Sequence, residues 1–310
     1  MAERVLVTGA AGFIGSHLCR RLVADGYDVV ALDDLSEGSL DKLSDVPEVR
    51  FEQVDIRDGD KVAKAASGCK AIYHEAAKRS VPRSMEQPVL TTAVNVDGTL
   101  NVLLAARDEG AIVVGASSSS VYGDQETFPL HEDLELHPRS PYAVSKLTTE
   151  MYGAALHLAF GIPSVWLRYF NVYGPGQDPE SEYAAVVPKF VVACMDGARP
   201  VVHGDGEQSR DFTYIDDVVE ANLRAANAPE EAFGRGLNIG GGERPTSVNR
   251  LLELIAGLCG VEPQPVFEEP RAGDVRMTEA DVSLAKRLIG YDPIVGIEEG
   301  LRRTVESFKS

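Results

Sequence analysis

Cysteine is scarce and scattered in this 310-residue chain: Cys19, Cys69, Cys194 and Cys259 stand far apart, with no CxxC and no Cys/His pair at metal-ligand spacing. That argues against a structural zinc site or a disulfide scaffold and fits reduced thiols in a cytoplasmic protein. Bases are also short, 30 Lys and Arg against 48 Asp and Glu, for a formal charge of −18. A field of that sign repels nucleic acid and anionic membrane, so neither is expected as a partner. An anionic ligand would need a basic pocket of its own. No apolar run approaches the roughly 20 residues of a membrane-spanning helix. "MAERVLVTGAAG" enters a strand at once, which leaves no room for a signal peptide. Internal repeats, low-complexity tracts and interdomain linkers are missing too. What remains is an ordinary globular composition, 44% apolar and 25% charged. The length suits one large α/β domain or two smaller lobes.

Short β-branched runs alternate with helical patterns through the first half. "RVLVTG" (4–9), "DVVALDD" (28–34), "VRFEQVDI" (49–56), "AIYHEAA" (71–77) and "AIVVGASS" (111–118) read as strands. "IGSHLCRRLVADG" (14–26), "TLNVLLAARDEG" (99–110) and "SPYAVSKLTTEMYGAALHLAFG" (140–161) carry helical periodicity, each closed by Gly. Such alternation predicts right-handed βαβ units and a doubly wound parallel sheet of Rossmann type. Beyond about residue 170 Gly and Pro accumulate, in "NVYGPGQDPESEY" (171–183). "GLNIGGG" (236–242) reads as a late return strand and "SVNRLLELIAGLCG" (247–260) as a helix. The expected division is a cofactor-binding domain over 1–170, rejoined around 205–240, and a smaller substrate-binding lobe over 171–310.

"VTGAAGFIG" sets Gly9, Gly12 and Gly15 between the first strand and its helix. Gly9 permits a tight turn, Gly12 lets a pyrophosphate approach the backbone, and Gly15 allows close helix–strand packing. The helix start offers N–H groups and partial positive charge to phosphates. Asp33, ending the second strand, suits a ribose 2′-hydroxyl and would repel a 2′-phosphate, which favours NAD over NADP. Asp55, in "VDIRD" at the next strand end, is placed to reach the adenine.

In "SPYAVSK", Tyr142 and Lys146 are four residues apart at the head of a helix, hence on one face. A phenol titrates near 10 in water. A neighbouring ammonium and a nicotinamide cation should both lower that value. Such a Tyr is a general base for a hydroxyl whose carbon surrenders hydride. Lys146 can also hold the nicotinamide ribose.

With these motifs, "HEAA", "NVDGT", "SSSVYG", "RYFNVYGP", "GDGEQSRDFTYIDD" and "PRAGDV", the chain resembles the extended short-chain dehydrogenase/reductases along nearly its whole length. It is most similar to the nucleotide-sugar epimerase and dehydratase group, and within it to bacterial UDP-N-acetylglucosamine and UDP-glucose 4-epimerases. The resemblance implies a tightly held NAD and a UDP-sugar substrate. It implies a homodimer joined through helices around 95–110 and 142–160. It also implies cofactor contacts from Phe13, Ile14, Asp34, Ile56, Ala76, Ala77, Asn95 and Tyr169, beside the residues already named.

Four hydroxyl side chains end the strand at "ASSSSVYG" (116–123). By resemblance Ser118 bonds the reacting 4-hydroxyl, and the next two positions carry Asp and Glu in sugar 4,6-dehydratases. Here they are Ser119 and Ser120, which near neutrality neither abstract a carbon-bound proton nor protonate a leaving hydroxide well. A reaction needing only hydride and one proton fits, and epimerisation at C4 is such a reaction. On the substrate side the resemblance implies Asn171, Val187, Arg210, Arg271 and Asp274 around the nucleotide diphosphate, with Arg suited to bidentate phosphate contact. It places a sugar gatekeeper at Thr278, a small residue that admits a 2-acetamido group where a Tyr excludes it. Arg79 and Arg83, in "KRSVPRS", keep a uronate substrate open, and His74 and His203 are expected to be structural. The alternatives are a UDP-uronate 4-epimerase, a nucleotide-sugar dehydratase or decarboxylase, and, in another class, a catalytically silent NAD-binding sensor.

Overall fold

Val5 to Val7, Val29 to Leu32, and Val113 and Val114 are all buried, so these runs lie in strands covered on both faces. The computed structural model describes residues 2–179, 185–270 and 275–309. Its central sheet holds β1 (Arg4–Thr8), β2 (Asp28–Asp33), β3 (Arg50–Gln53), β4 (Ala71–His74), β5 (Ile112–Ser118), β6 (Ser164–Tyr169) and an edge strand, Arg235–Ile239. The order is edge strand, β6, β5, β4, β1, β2, β3, with every pairing parallel. The order reverses between β1 and β4, and in open α/β sheets ligands bind at the carboxyl ends beside such a reversal. The fold is a Rossmann-type doubly wound parallel sheet, as the alternation predicts.

One face is packed by α1 (Phe13–Ala24), through Leu18 and Leu22, and by the Ile215–Ala225 helix through Val218. The other buries Val62, Val102, Leu103 and Trp166 beneath the Gly59–Ala66, Gly98–Glu109 and Pro141–Phe160 helices. In the C-terminal half, the Val186–Met195 and Val248–Cys259 helices pack on one another, and the Ile297–Ser307 helix on the latter.

Three features differ from the pattern reading. "SVWLRY" is not distinguished there as a strand, yet all six residues of β6 are buried. A strand buried on both faces has no alternation to find. The strand expected over 49–56 shortens to Arg50–Gln53, at the exposed edge of the sheet. Helical structure also runs from Pro88 to Glu109 through one π-helical turn, Ala93–Asp97. These 22 residues reach the length and apolarity of a membrane span, but half of that surface is buried inside the protein. Thr99 there bonds the ring of His74 at 2.9 Å, which marks a core helix.

The Pro141–Phe160 helix carries Tyr142 and Lys146, so its placement decides the site. Ser140 caps its start by accepting from the Ala143 amide at 3.1 Å, Pro141 takes the first turn, and Gly161 ends it at φ +70. Underneath lies a buried ion pair. Arg168 Nη2 donates to Glu150 Oε2 at 2.7 Å, Arg168 Nη1 to the Tyr122 hydroxyl at 2.9 Å, and Ser117 Oγ to Glu150. Gly153 lets the helix settle on Trp166: a Cβ at that position would stand 1.9 Å from the indole nitrogen. Gly153→Val is expected to destabilise the protein by about 2 kcal/mol or more through overpacking. Denaturant unfolding followed by the fluorescence of the single tryptophan checks it; an unchanged midpoint would show that the helix does not depend on this contact.

Candidate active site

The glycine turn opens the carboxyl edge of the sheet. Gly9 adopts φ +69, and a Cβ on it would lie 2.7 Å from the Ala76 amide nitrogen, so the turn after β1 touches the chain leaving β4. A Cβ on Gly15 would stand 2.1 Å from the Gly9 carbonyl oxygen, so only glycine lets α1 start this close to the turn. Asp33 ties the turn to β2, its carboxylate accepting from the amides of Ala11 at 3.0 Å and Leu35 at 2.8 Å. Burial raises its pKa and those two amides oppose the rise. The resulting cleft is lined by Gly9, Gly12, Phe13, Ile14 and Gly15 at one wall and by Asp33, Asp34, Asp55 and Ile56 at another. Ala76, Ala77, Tyr142, Lys146 and Tyr169 line it as well. Asp55 is held by Arg57, whose Nε reaches both carboxylate oxygens at 3.0 Å, and this keeps its pKa below the usual range.

Asn95 stands elsewhere. It is buried in the π-helical turn, accepts from the Lys78 amide at 2.7 Å, and donates to the Lys78 carbonyl at 3.0 Å and to Ser145 Oγ at 2.9 Å. It positions the segment after β4 against the Pro141–Phe160 helix and does not line the cleft.

Ser118 ends β5 in the cleft wall that Tyr142 also lines, and it lowers the pKa of that phenol. Lys146 Nζ donates to the Ala116 carbonyl at 2.8 Å, which pins the helix one turn past Tyr142 to the end of β5. The electrostatics depart from the expected scheme. Tyr142 is pushed above the ordinary phenol range by burial, while Ser118 and the Arg79 guanidinium pull it down and Glu75 pushes it further up. Arg79, in the cleft wall, is therefore the cation that acts on the phenol; Lys146 is committed to a carbonyl and itself lowered by burial, against Glu75 and Glu150.

Glu75 escaped the sequence reading, though it stands in the quoted "HEAA". Its carboxylate lines the cleft and accepts from the Tyr169 hydroxyl at 2.7 Å, and that hydroxyl accepts from Asn222 Nδ2 at 2.9 Å. The signal was an acid at a position otherwise filled by buried apolar residues.

A second cavity adjoins the first, and Asn171 and Val172 line both. Val187 and Arg210 line this second cavity, with Phe190 and Phe212. Asn171, at φ +32, donates from Nδ2 to the Asp211 carbonyl at 2.9 Å and to Thr278 Oγ1 at 3.1 Å. Thr278 is buried behind it. Ser119 and Ser120 begin a short 3₁₀ turn directly after Ser118; the Ser120 amide donates to Ser118 Oγ at 3.2 Å. Arg271 and Asp274 lie outside the described residues. His74 is buried between Thr8 and Thr99 with its pKa down at about 3, the neutral ring of a structural histidine.

Residues 5–240 match the model of the NAD dependent epimerase/dehydratase family. The UDP-glucose 4-epimerase of Mycolicibacterium smegmatis is 40% identical over 313 residues, covering 99% of each chain. Among solved structures, UDP-glucose 4-epimerase of Thermotoga maritima with UDP-glucose superposes at a TM-score of 0.94, with 38% identity over 99% of this chain and 98% of that one. UDP-N-acetylglucosamine 4-epimerase of Methanobrevibacter ruminantium M1, in complex with UDP-N-acetylmuramic acid, also gives 0.94, with 36% identity over 100% and 99%. A match running from β1 to the edge strand, and likeness along the full length of these relatives, show that the chain belongs to the NAD dependent epimerase/dehydratase family.

Proposed function

We propose that this protein interconverts the C4 epimers of UDP-hexoses, N-acetylated ones included, through a transient 4-keto sugar. The observation that carries the reading is the convergence of Ser118, Tyr142 and Lys146 on the same cleft as the glycine turn. NAD, held by the Gly9–Gly15 turn and Asp33, would supply a hydride acceptor for C4 and the hydride's return to the opposite face. Tyr142 takes the proton of the 4-hydroxyl and gives it back, and Ser118 orients the exchange. Arg79 favours the phenolate that does this work. Arg210 and Asn171 face the cavity next to the cleft, which suits a nucleotide diphosphate held firmly while the sugar turns. No acid stands at Ser119 or Ser120, which speaks against dehydration.

Tyr142→Phe is expected to lower kcat about 10²–10⁴-fold, the range of a lost general base, with NAD still bound. Chromatographic separation of the epimers checks it. Undiminished turnover would end the mechanism, and absence of any turnover in the wild type, with NAD present, would favour a sensor.

The sugar reading turns on Thr278. Its small side chain buttresses Asn171, which lines both cavities. Thr278→Tyr should lower conversion of UDP-GlcNAc relative to UDP-Glc at least about tenfold, within the range of a steric pocket change. A panel of UDP-sugars run on both proteins measures the ratio; an unchanged ratio would remove Thr278 from sugar selection. Arg79 supports a second reading, a UDP-uronate 4-epimerase, because its guanidinium lies in the cleft close enough to act on Tyr142. The same panel, with UDP-glucuronate included, separates the two.

A second copy of the chain suits the outer face of the Pro141–Phe160 helix. Val144, Met151 and Leu158 repeat every seven residues and are 49%, 64% and 86% exposed, and Val89 on the adjoining Pro88–Thr92 helix is 82% exposed. That is the spacing of a helix-packing seam. Met151→Lys with Leu158→Glu should convert a dimer to a monomer in sedimentation velocity; an unaltered dimer would place the interface elsewhere.

A further inference from the structure

Glu75 is a carboxylate that the epimerase chemistry leaves without a task. It stands at the end of β4, between the Ala76–Ala77 wall of the cofactor cleft and the Tyr142–Lys146 face. The groups that meet it are few. From β6 the Tyr169 hydroxyl donates to it at 2.7 Å, and behind that hydroxyl Asn222 of the Ile215–Ala225 helix donates at 2.9 Å. From the Pro141–Phe160 helix, the Lys146 ammonium and the Tyr142 phenol act on it or feel its charge. His74, the preceding residue, is bonded to Thr8 and Thr99 and stays neutral. Arg79 lines the same cleft four residues on.

Glu75 and Lys146, of opposite charge, thus line one cleft together, with the Arg79 guanidinium also in its wall. A nicotinamide ring is cationic when oxidised and neutral when reduced. An ammonium nearby favours the reduced form, and a carboxylate nearby favours the oxidised form. Lys146 alone would pull the bound cofactor toward reduction. We propose that the Glu75 carboxylate offsets Lys146 and holds the bound nicotinamide toward its oxidised form, so that hydride taken from C4 is given back and not stranded. An epimerase has this need in every turnover: one hydride and one proton leave the sugar, and both must return. Glu75 is not the proton acceptor, since it already accepts from Tyr169 and the exchanging proton belongs to Tyr142. Burial lifts its pKa to about 7, so its charge is present above that pH and lost below it.

The test uses the NAD-loaded holoenzyme and an external hydride donor, sodium cyanoborohydride, which requires no sugar. The rate of reduction of bound NAD at 340 nm is measured at pH 8.5 for the wild type, Glu75→Gln and Glu75→Asp. Glu75→Gln should be reduced on the order of tenfold faster, the scale of one charge removed across several ångströms at an effective dielectric near 20. Glu75→Asp, which keeps the charge, should stay within about threefold of the wild type on the same scale. As pH falls to 6 the wild type should approach Glu75→Gln, each rate being divided by that of free NAD. Where Glu75→Gln fails to retain cofactor, the wild-type pH profile carries the test through its midpoint, about 7 for Glu75 against about 8 for Lys146. Equal rates for the wild type and Glu75→Gln overturn the proposal, as does a flat wild-type profile or a Glu75→Asp rate that matches Glu75→Gln. A second arm adds UDP-glucose, and here the inference rests on the epimerase reading: the reduced fraction at steady state should rise several-fold in Glu75→Gln. If no variant responds to UDP-glucose while cyanoborohydride separates them, the role of Glu75 stands and the substrate reading falls.

Discussion

The turn after β1 and the chain leaving β4 approach until no Cβ fits between Gly9 and the Ala76 amide, and the site is built to that clearance. A parallel sheet opens a crevice where its strand order reverses, and here the crevice lies between those two strands. Gly15 brings α1 onto the same turn. Asp33 then ties β2 to it through the Ala11 amide. Three strand ends and one helix start are thereby held in register, and Ala76, Ala77 and Glu75 are delivered to the cleft wall as a consequence.

The second constraint is charge. The chain carries −18 overall, yet it buries the cation Lys146, on the helix that supplies the tyrosine. That ammonium is flanked by Glu75 on the cofactor side and Glu150 on the other, and Glu150 is itself paired with Arg168. Buried charges persist only when paired and hydrogen-bonded. The Ala116 carbonyl, Tyr122, Ser117 and Tyr169 supply those bonds. Much of what positions Tyr142 is therefore an electrostatic scaffold beneath it, and the apolar packing of Gly153 on Trp166 sets how closely the helix lies upon it.

Local patterns carried most of the fold. β1, β2, β4 and β5 emerge from β-branched runs bounded by turns, and the Pro141–Phe160 helix from its Ser140 cap, its periodicity and Gly161. β6 did not emerge, because burial on both faces erases the alternation that marks a strand. The chemical site was legible where residues act through sequence neighbours: the glycine turn, and Tyr142 with Lys146 one turn apart. It was illegible where residues act through space. Asn95 looked like a cofactor ligand and instead fastens Lys78 to Ser145.

Sequence by itself determined the parallel architecture, the NAD-type turn with its acid at Asp33, and a phenol and an ammonium on one helical face, since each of these follows from spacing along a single segment. Only the tertiary structure decided which charges face that phenol. Arg79 comes to it from the segment after β4, and Glu75 meets Lys146 and Tyr169 from three separate elements. The physical reason is distance: electrostatic coupling depends on separation in space and on burial, and neither can be read along the chain.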